Sequence, residues 1–428
     1  MLMGMGSPNC YLSDREAASL VQDALASLNL KDKRVLIIIP DGTRSMPMAM
    51  MAELFEAHLS SQVQALDYLV ALGTHQPMSD AQLSKMLGKP VQDGVMGSSR
   101  VFNHLWNDPA MFTQIGTIPA DKIRELTQGR LVEDVPVRLN RLIQLYDQII
   151  ICGPVFPHEV VGFSGGNKYF FPGIAGPEII NFTHWLGALM TSYQIIGSGY
   201  TPVRAVIDQA ASLITTPVAC FSLVVTHAGL AGLYFGGAQE AWQAAADLSA
   251  QVHIVYVDQP YQKVISVMPE LYDDIWTAAK GMYKMEPAIA DGGEVVIFAP
   301  HINEISYTHG AVLDQIGYHC RDFFVQQWET YRHYPLGVLA HSTHLRGMGT
   351  YDATSGRETP RIRVTLATGI PRERCERVGL GYQNPDDLNL SDWMGREEEG
   401  ILVVERAGEM LYRIRKTDDH TTGDSHEL

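Results

Sequence analysis

Val35-Leu36-Ile37-Ile38-Ile39-Pro40-Asp41-Gly42-Thr43-Arg44 is the stretch from which the fold is read. A continuous apolar run, mostly β-branched, is what a strand buried on both faces requires. Proline cannot extend a hydrogen-bond ladder, so the strand ends at Pro40 and Asp41 to Arg44 sit at its carboxyl end. Upstream, Ser13-x-x-Glu16 precedes an apolar-periodic run (Ala17, Leu20, Val21, Leu25, Leu28), the pattern of a capping box opening a helix. Downstream, residues 48–59 read as a helix and 66–72 as a second strand, ending at Gly73-Thr74-His75. Ser79-Asp80-Ala81-Gln82 starts another helix.

The alternation continues. Strands are expected near 147–153, 218–225 and 252–257, with helical stretches near 203–213 and 238–250. That order predicts α/β architecture with mostly parallel sheets. Residues 258–293 read as helical for long stretches, broken at Gly281 and Gly292-Gly293. A second α/β pattern starts at Glu294-Val295-Val296-Ile297-Phe298-Ala299. The expectation is two α/β domains, an N-terminal one over 1–280 with the binding motifs and a C-terminal one over 281–415. The active site would lie in the cleft between them. Residues 416–428 are polar and expected to form a disordered tail.

In 428 residues there is enough chain for two substantial cores, and 46% apolar with 19% charged residues is ordinary for a globular protein. A net charge of −16 argues against nucleic acid or a membrane surface as partner. An anionic ligand must then find a local patch of Arg and Lys. The five cysteines are scattered and form no C-x-x-C pair, as in a reducing compartment without a disulfide frame. The N-terminus has no signal-peptide pattern and no apolar run approaches the roughly 20 residues of a spanning helix. A cytoplasmic protein is expected, with homo-oligomerisation left open.

Chemistry is concentrated in His158-Glu159-Val160-Val161-Gly162-Phe163-Ser164-Gly165-Gly166-Asn167-Lys168, followed by Pro172-Gly173-Ile174-Ala175 and His184. Ser164, Gly165 and Gly166 would let backbone N–H groups approach an anionic ligand. The block lacks the spacing of a Walker phosphate loop and of the dinucleotide fingerprint. Nor is it a zinc-protease motif, because His158-Glu159 is followed by Val160-Val161-Gly162 with no second histidine.

The block resembles the nickel-dependent lactate racemase family. Asp41-Gly42-Thr43-Arg44, Gly73-Thr74-His75 and the segment around Lys280 match in the family's order and at nearly its spacing. The resemblance implies nickel as metal and a nickel-pincer nucleotide, pyridinium-3,5-bisthiocarboxylic acid mononucleotide, as cofactor. It implies that His184 is the nickel ligand, that Lys168 contacts or covalently tethers the cofactor, and that His75 and His158 are an acid/base pair. The cofactor's own sulfur and carbon atoms would supply the soft ligands, so one neutral imidazole suffices from the protein. The implied reaction is racemisation or C2-epimerisation of a small anionic 2-hydroxyacid by reversible hydride transfer. One histidine on each side would handle the hydroxyl proton of each enantiomer.

Arg44 offers a planar fork for the substrate carboxylate, and Asp41 would orient it or hold a cofactor hydroxyl. Lys280 matches a lysine at the family's substrate end. Thr277 stands where the lactate enzyme has a substrate-reaching glutamine, and a tryptophan of its C-terminal half has no clear counterpart. His341 and His344 occupy that neighbourhood, while Trp393 lies too far on; His301 and His309 add polar groups whose role the sequence leaves open. A more polar pocket is compatible with a hydroxyacid other than lactate, a sugar acid among them. Two further readings stay open: a conventional metal-dependent hydrolase or lyase with His75, His158 and His184 as direct ligands, and a non-catalytic carrier of the nucleotide.

Overall fold

The computed structural model describes residues 1–415; the expected polar tail, 416–428, lies outside the described residues. The larger sheet contains β1 (Met3–Gly6), β2 (Arg34–Ile39), β3 (Ala65–Val70), β4 (Val95–Met96), β5 (Ser99–Asn103), β6 (Gln148–Pro154), β7 (Val218–Thr226) and β8 (Gly229–Gly236). Its spatial order is β1-β8-β7-β6-β2-β3-β5-β4. The run β7-β6-β2-β3-β5 is parallel throughout, and antiparallel strands flank it on both sides.

β2 is buried on both faces, as its sequence requires. Val35, Ile37 and Ile39 enter a core covered by α1 (Asp14–Ala26), α2 (Met48–Leu59) and α3 (Asp80–Leu87). Leu36 and Ile38 enter the opposite core with α4 (Pro177–Met190) and α5 (Pro202–Ala211). Each such side chain contributes roughly 1.5–3 kcal/mol by leaving water. Both capping boxes form: Ser13 with Glu16, and Ser79 with Gln82. The helix read at 238–250 is α6 (Ala238–His253).

The second sheet contains β9 (Tyr261–Val267), β10 (Ile289–Ala299), β11 (Arg363–Thr368), β12 (Gly381–Tyr382) and β13 (Ile401–Val404). It is parallel throughout, in the order β12-β11-β10-β9-β13. The long helical stretch read over 258–293 is not there. β9 occupies its start, followed by single turns at Ile275–Ala278 and Lys280–Tyr283, and Gly292-Gly293 lies inside β10. Polar residues had hidden β9: Lys263 pairs with Glu294 at 3.3 Å and lies over the Trp393 ring, while Val264, Ile265 and Ser266 are fully buried. The change of sheet therefore precedes Tyr261. The chain end returns, with Leu411–Ile414 pairing in parallel with Ile254–Val257.

Candidate active site

β6, β2 and β3 are neighbours in the parallel run, and their carboxyl ends open on one side. Ligands of α/β sheets bind there. Asp41 and Arg44 follow β2, His75 follows β3, and His158 follows β6. All four line a cavity of about 120 Å³, together with Ser164, Gly165, Lys168, His184 and Lys280. Of the site residues read from the sequence, Gly166 is the one absent from this lining.

His75 Nδ1 lies 2.5 Å from Asp41 Oδ2. The other Asp41 oxygen accepts from the Thr43 N–H (3.0 Å) and hydroxyl (2.6 Å). Burial raises the Asp41 carboxyl, but His75, Arg44 and these hydrogen bonds together hold it well below the usual carboxylate range. An anion behind Nδ1 fixes the ring with its lone pair on Nε2, which is the arrangement of a general base.

His158 is set differently. Its Nδ1 accepts the Val160 N–H at 3.1 Å, and Glu159 Oε2 lies 3.3 Å from the same nitrogen. Burial, with Lys168 and Arg44 close by, pushes His158 well below its ordinary value. Burial therefore disfavours a charged ring beside Glu159.

The Ser-Gly-Gly loop is built by packing. Gly165 (φ 84°) and Gly166 (φ 58°) both adopt left-handed backbone. A Cβ on Gly165 would lie 2.6 Å from Val155 Cγ2, and one on Gly166 2.8 Å from Trp242 Cβ. Close approach to the chain's own core is thus one thing these glycines permit. The Ser164 hydroxyl is likewise engaged locally, accepting from the Phe156 N–H at 2.9 Å. Arg204, absent from the sequence reading, clamps the loop: it is buried, donates to the Gly165 and Phe163 carbonyls, and stacks on Trp242 at 4.1 Å.

Lys168 sits in the turn that follows (Gly166–Tyr169), and burial, with Arg44 nearby, lowers it to about 7. His184 lies on α4 and its Nδ1–H donates to the Ile180 carbonyl at 2.7 Å. Nε2 is thereby left as the free lone pair, and burial holds the ring neutral at about 4. This is the tautomer and charge state of a metal-ligating histidine with its supporting hydrogen bond. Among the described residues no group of three His, Cys, Asp or Glu side chains is placed to hold a metal. One imidazole beside an amine fits a metal whose remaining ligands arrive with a bound group.

Arg44 forms no ion pair with Asp41; its guanidinium donates to the Thr43 hydroxyl at 3.3 Å and faces the cavity. Lys280 Nζ lies 4.4 Å from the Tyr272 ring centre and donates to the Thr277 carbonyl at 3.4 Å. Burial, then Arg44, pushes this lysine well below its ordinary value.

Sequence reasoning did not assign Glu159, Tyr169, Trp276 and Tyr283 to the lining. Trp276 and Glu159 stand beside named residues, but nothing in the local pattern shows that they turn inward. Thr277 lines the cavity while its hydroxyl is engaged with Asp274 at 2.9 Å. His341 and His344, both on α7 (Leu336–Arg346), reach the cavity. His309 lines an adjoining cavity of about 600 Å³ that shares Asp41, Arg44, His75 and Trp276. His301, bonded to the Tyr272 carbonyl at 3.0 Å, lines neither.

The fold and site define an α/β protein with a histidine- and lysine-lined cavity at the carboxyl ends of its parallel strands. Residues 17–196 match the model of the lactate racemase N-terminal domain. It is 25% identical over 272 residues to the lactate racemase of Thermoanaerobacterium thermosaccharolyticum, which is 62% of this chain. It is 23% identical over 282 residues to that of Lactiplantibacillus plantarum, 65% of this chain. The matches span only 60% and 62% of the length of these relatives. A crystal structure of a Thermotoga maritima protein superposes with a TM-score of 0.89 at 30% identity, covering 96% of this chain and 100% of that one. The lactate racemase apoprotein of T. thermosaccharolyticum shares the fold, with a TM-score of 0.69 at 18% identity over 94% of this chain and 93% of that one. Among the described residues no helix is long and apolar enough to cross a membrane.

Proposed function

We propose that this protein is a nickel-pincer-nucleotide-dependent racemase or C2-epimerase of a small anionic 2-hydroxyacid. One observation carries the reading: a histidine with its Nε2 lone pair free, a buried lysine and two further histidines line one cavity in a chain that matches the lactate racemase N-terminal domain. The nucleotide, when bound, would supply an acceptor and donor of hydride for the substrate's α-carbon. His184 holds the nickel through Nε2. Lys168, with much of its amine neutral near pH 7, is suited to covalent attachment of the nucleotide and otherwise pairs with its charge.

Arg44 takes the substrate carboxylate in a bidentate grip. Lys280 offers a hydrogen-bond donor at the same end. His75 receives the hydroxyl proton of one enantiomer on Nε2 while Asp41 stabilises the charge on the ring. His158 serves the other enantiomer in the tautomer whose Nδ1–H faces Glu159, which frees Nε2, so the proton lost on one side is returned from the other. In this reading the N-terminal part supplies the cofactor and acid/base groups, and the C-terminal part closes the substrate end.

The test is to produce the protein with nickel and the nucleotide pathway, measure metal and absorption spectrum, and screen enantiopure 2-hydroxyacids by chiral chromatography. Near-stoichiometric nickel, a nucleotide chromophore and interconversion of at least one acid are expected. Zinc without nucleotide, or a loaded protein that leaves every acid unchanged, would contradict the reading.

A further inference from the structure

His344 is 3% exposed, lines the cavity, and neither of its ring nitrogens has a hydrogen-bond partner among the described residues. His341, on the same face of α7, lines the cavity as well. It is stacked on Trp276 (ring centres 3.9 Å apart, planes 24°), and its Nε2 lies a long 3.5 Å from the Tyr318 hydroxyl. An imidazole left unpaired in a buried site is costly, and a ligand group that reaches it removes the cost.

The chemistry of that group follows from the ring. Burial keeps His344 neutral, at about 4. A neutral imidazole offers one N–H and one lone pair, and a hydroxyl, which both donates and accepts, complements it. A second carboxylate only accepts, and the buried Glu159 on the same lining would repel it. A methyl group satisfies neither nitrogen. In the racemase reading the carboxylate and 2-hydroxyl are already taken by Arg44, His75 and His158, so the contact falls on the rest of the molecule.

We infer that His344, seconded by His341, is a specificity-determining residue that reads a hydroxyl beyond C2, so the site takes polyhydroxylated 2-hydroxyacids in preference to lactate. The inference rests on the racemase reading for the placement of the first two groups.

Lactate, glycerate and malate differ only at C3 (hydrogen, hydroxyl, carboxylate) and are the probes. Their affinity for the cofactor-loaded protein is measured by calorimetry, and their interconversion in parallel. Glycerate should bind about 10-fold or more tighter than lactate and malate. His344→Phe should lose about 10–100-fold on glycerate and under about threefold on lactate. His344→Gln, which keeps a donor and an acceptor, should restore part of the preference. Equal affinities in the unmodified protein, no measurable binding of any probe, or equal losses on lactate and glycerate in His344→Phe would each overturn the inference. A His344-dependent preference for glycerate without interconversion would leave it standing and remove the racemase reading. Interconversion of lactate and glycerate with no such preference would do the reverse.

Discussion

Asp41 Oδ2 and His75 Nδ1 stand 2.5 Å apart at the carboxyl ends of adjacent parallel strands, and this contact distinguishes His75 from His158, whose Nδ1 accepts a backbone N–H. Asp41→Asn keeps the shape but removes the anion that supports a protonated His75 ring. Turnover should fall about 10²–10⁴-fold, the scale of losing a general base. Nickel content should not change. A variant within a few fold of the parent would show that Asp41 serves another purpose.

The two histidines should also be separable by enantiomer. In a single turnover, His75→Ala should consume one enantiomer and spare the other, and His158→Ala should show the opposite preference. Net racemisation needs both directions and should be lost in both variants. Equal losses for both enantiomers in each would put the rings on one face of the substrate.

His184→Ala removes the lone pair that the proposal assigns to nickel. The purified variant should carry only trace nickel by mass spectrometry, with an unchanged far-ultraviolet circular dichroism spectrum. Full nickel loading would end the assignment of His184.

Lys168 carries a pH signature. Its folded value, about 7, lies below the roughly 10.4 of an unfolded lysine. Between these values the unfolded chain binds the extra proton, so stability rises with pH from about 7 to 10, and the full cost is felt below about 7. Lys168→Met should raise the unfolding free energy of the cofactor-free protein in urea at pH 7, by a few kcal/mol at most, and less at pH 9. Lys284, lowered by burial to about 7 as well, keeps some of the slope in the variant. No difference in slope between parent and variant would contradict the burial of this amine.

Arg204→Met leaves the Gly165 and Phe163 carbonyls without their donor. A loss of about 2–4 kcal/mol is expected, since buried acceptors go unpaired. Cofactor loading should fall with it, because the clamped loop leads into Lys168. Denaturant midpoints and nickel content check both, and loading unaffected by a large stability loss would uncouple clamp from site.

Much of this was legible in the sequence where burial is two-sided or caps are explicit. β2 announces itself through Val35 to Ile39, and Ser13 and Ser79 mark their helices through Glu16 and Gln82. Legibility failed where tertiary partners supply the reason. Lys263 obscured β9 because its partners, Glu294 and Trp393, are remote in sequence. Met3–Gly6, for which no strand was expected, is one because Tyr234 and the rest of β8 meet it across more than 220 residues. The site residues that follow strands β2, β3 and β6 could be named in advance. Glu159, Trp276 and the orientation of His344 could not, since they reach the cavity through contacts that no local pattern encodes.

The central claim is that hydrogen leaves and returns to the α-carbon as hydride while His75 and His158 handle only the hydroxyl proton. Racemisation of an enantiopure 2-hydroxyacid by the loaded protein in deuterium oxide tests it most directly, with nuclear magnetic resonance reading C2 of the product. Protium retained at C2 of the inverted enantiomer is the predicted result. Deuterium incorporated at C2 in step with inversion would mean that a base removes the α-proton, and would contradict the account.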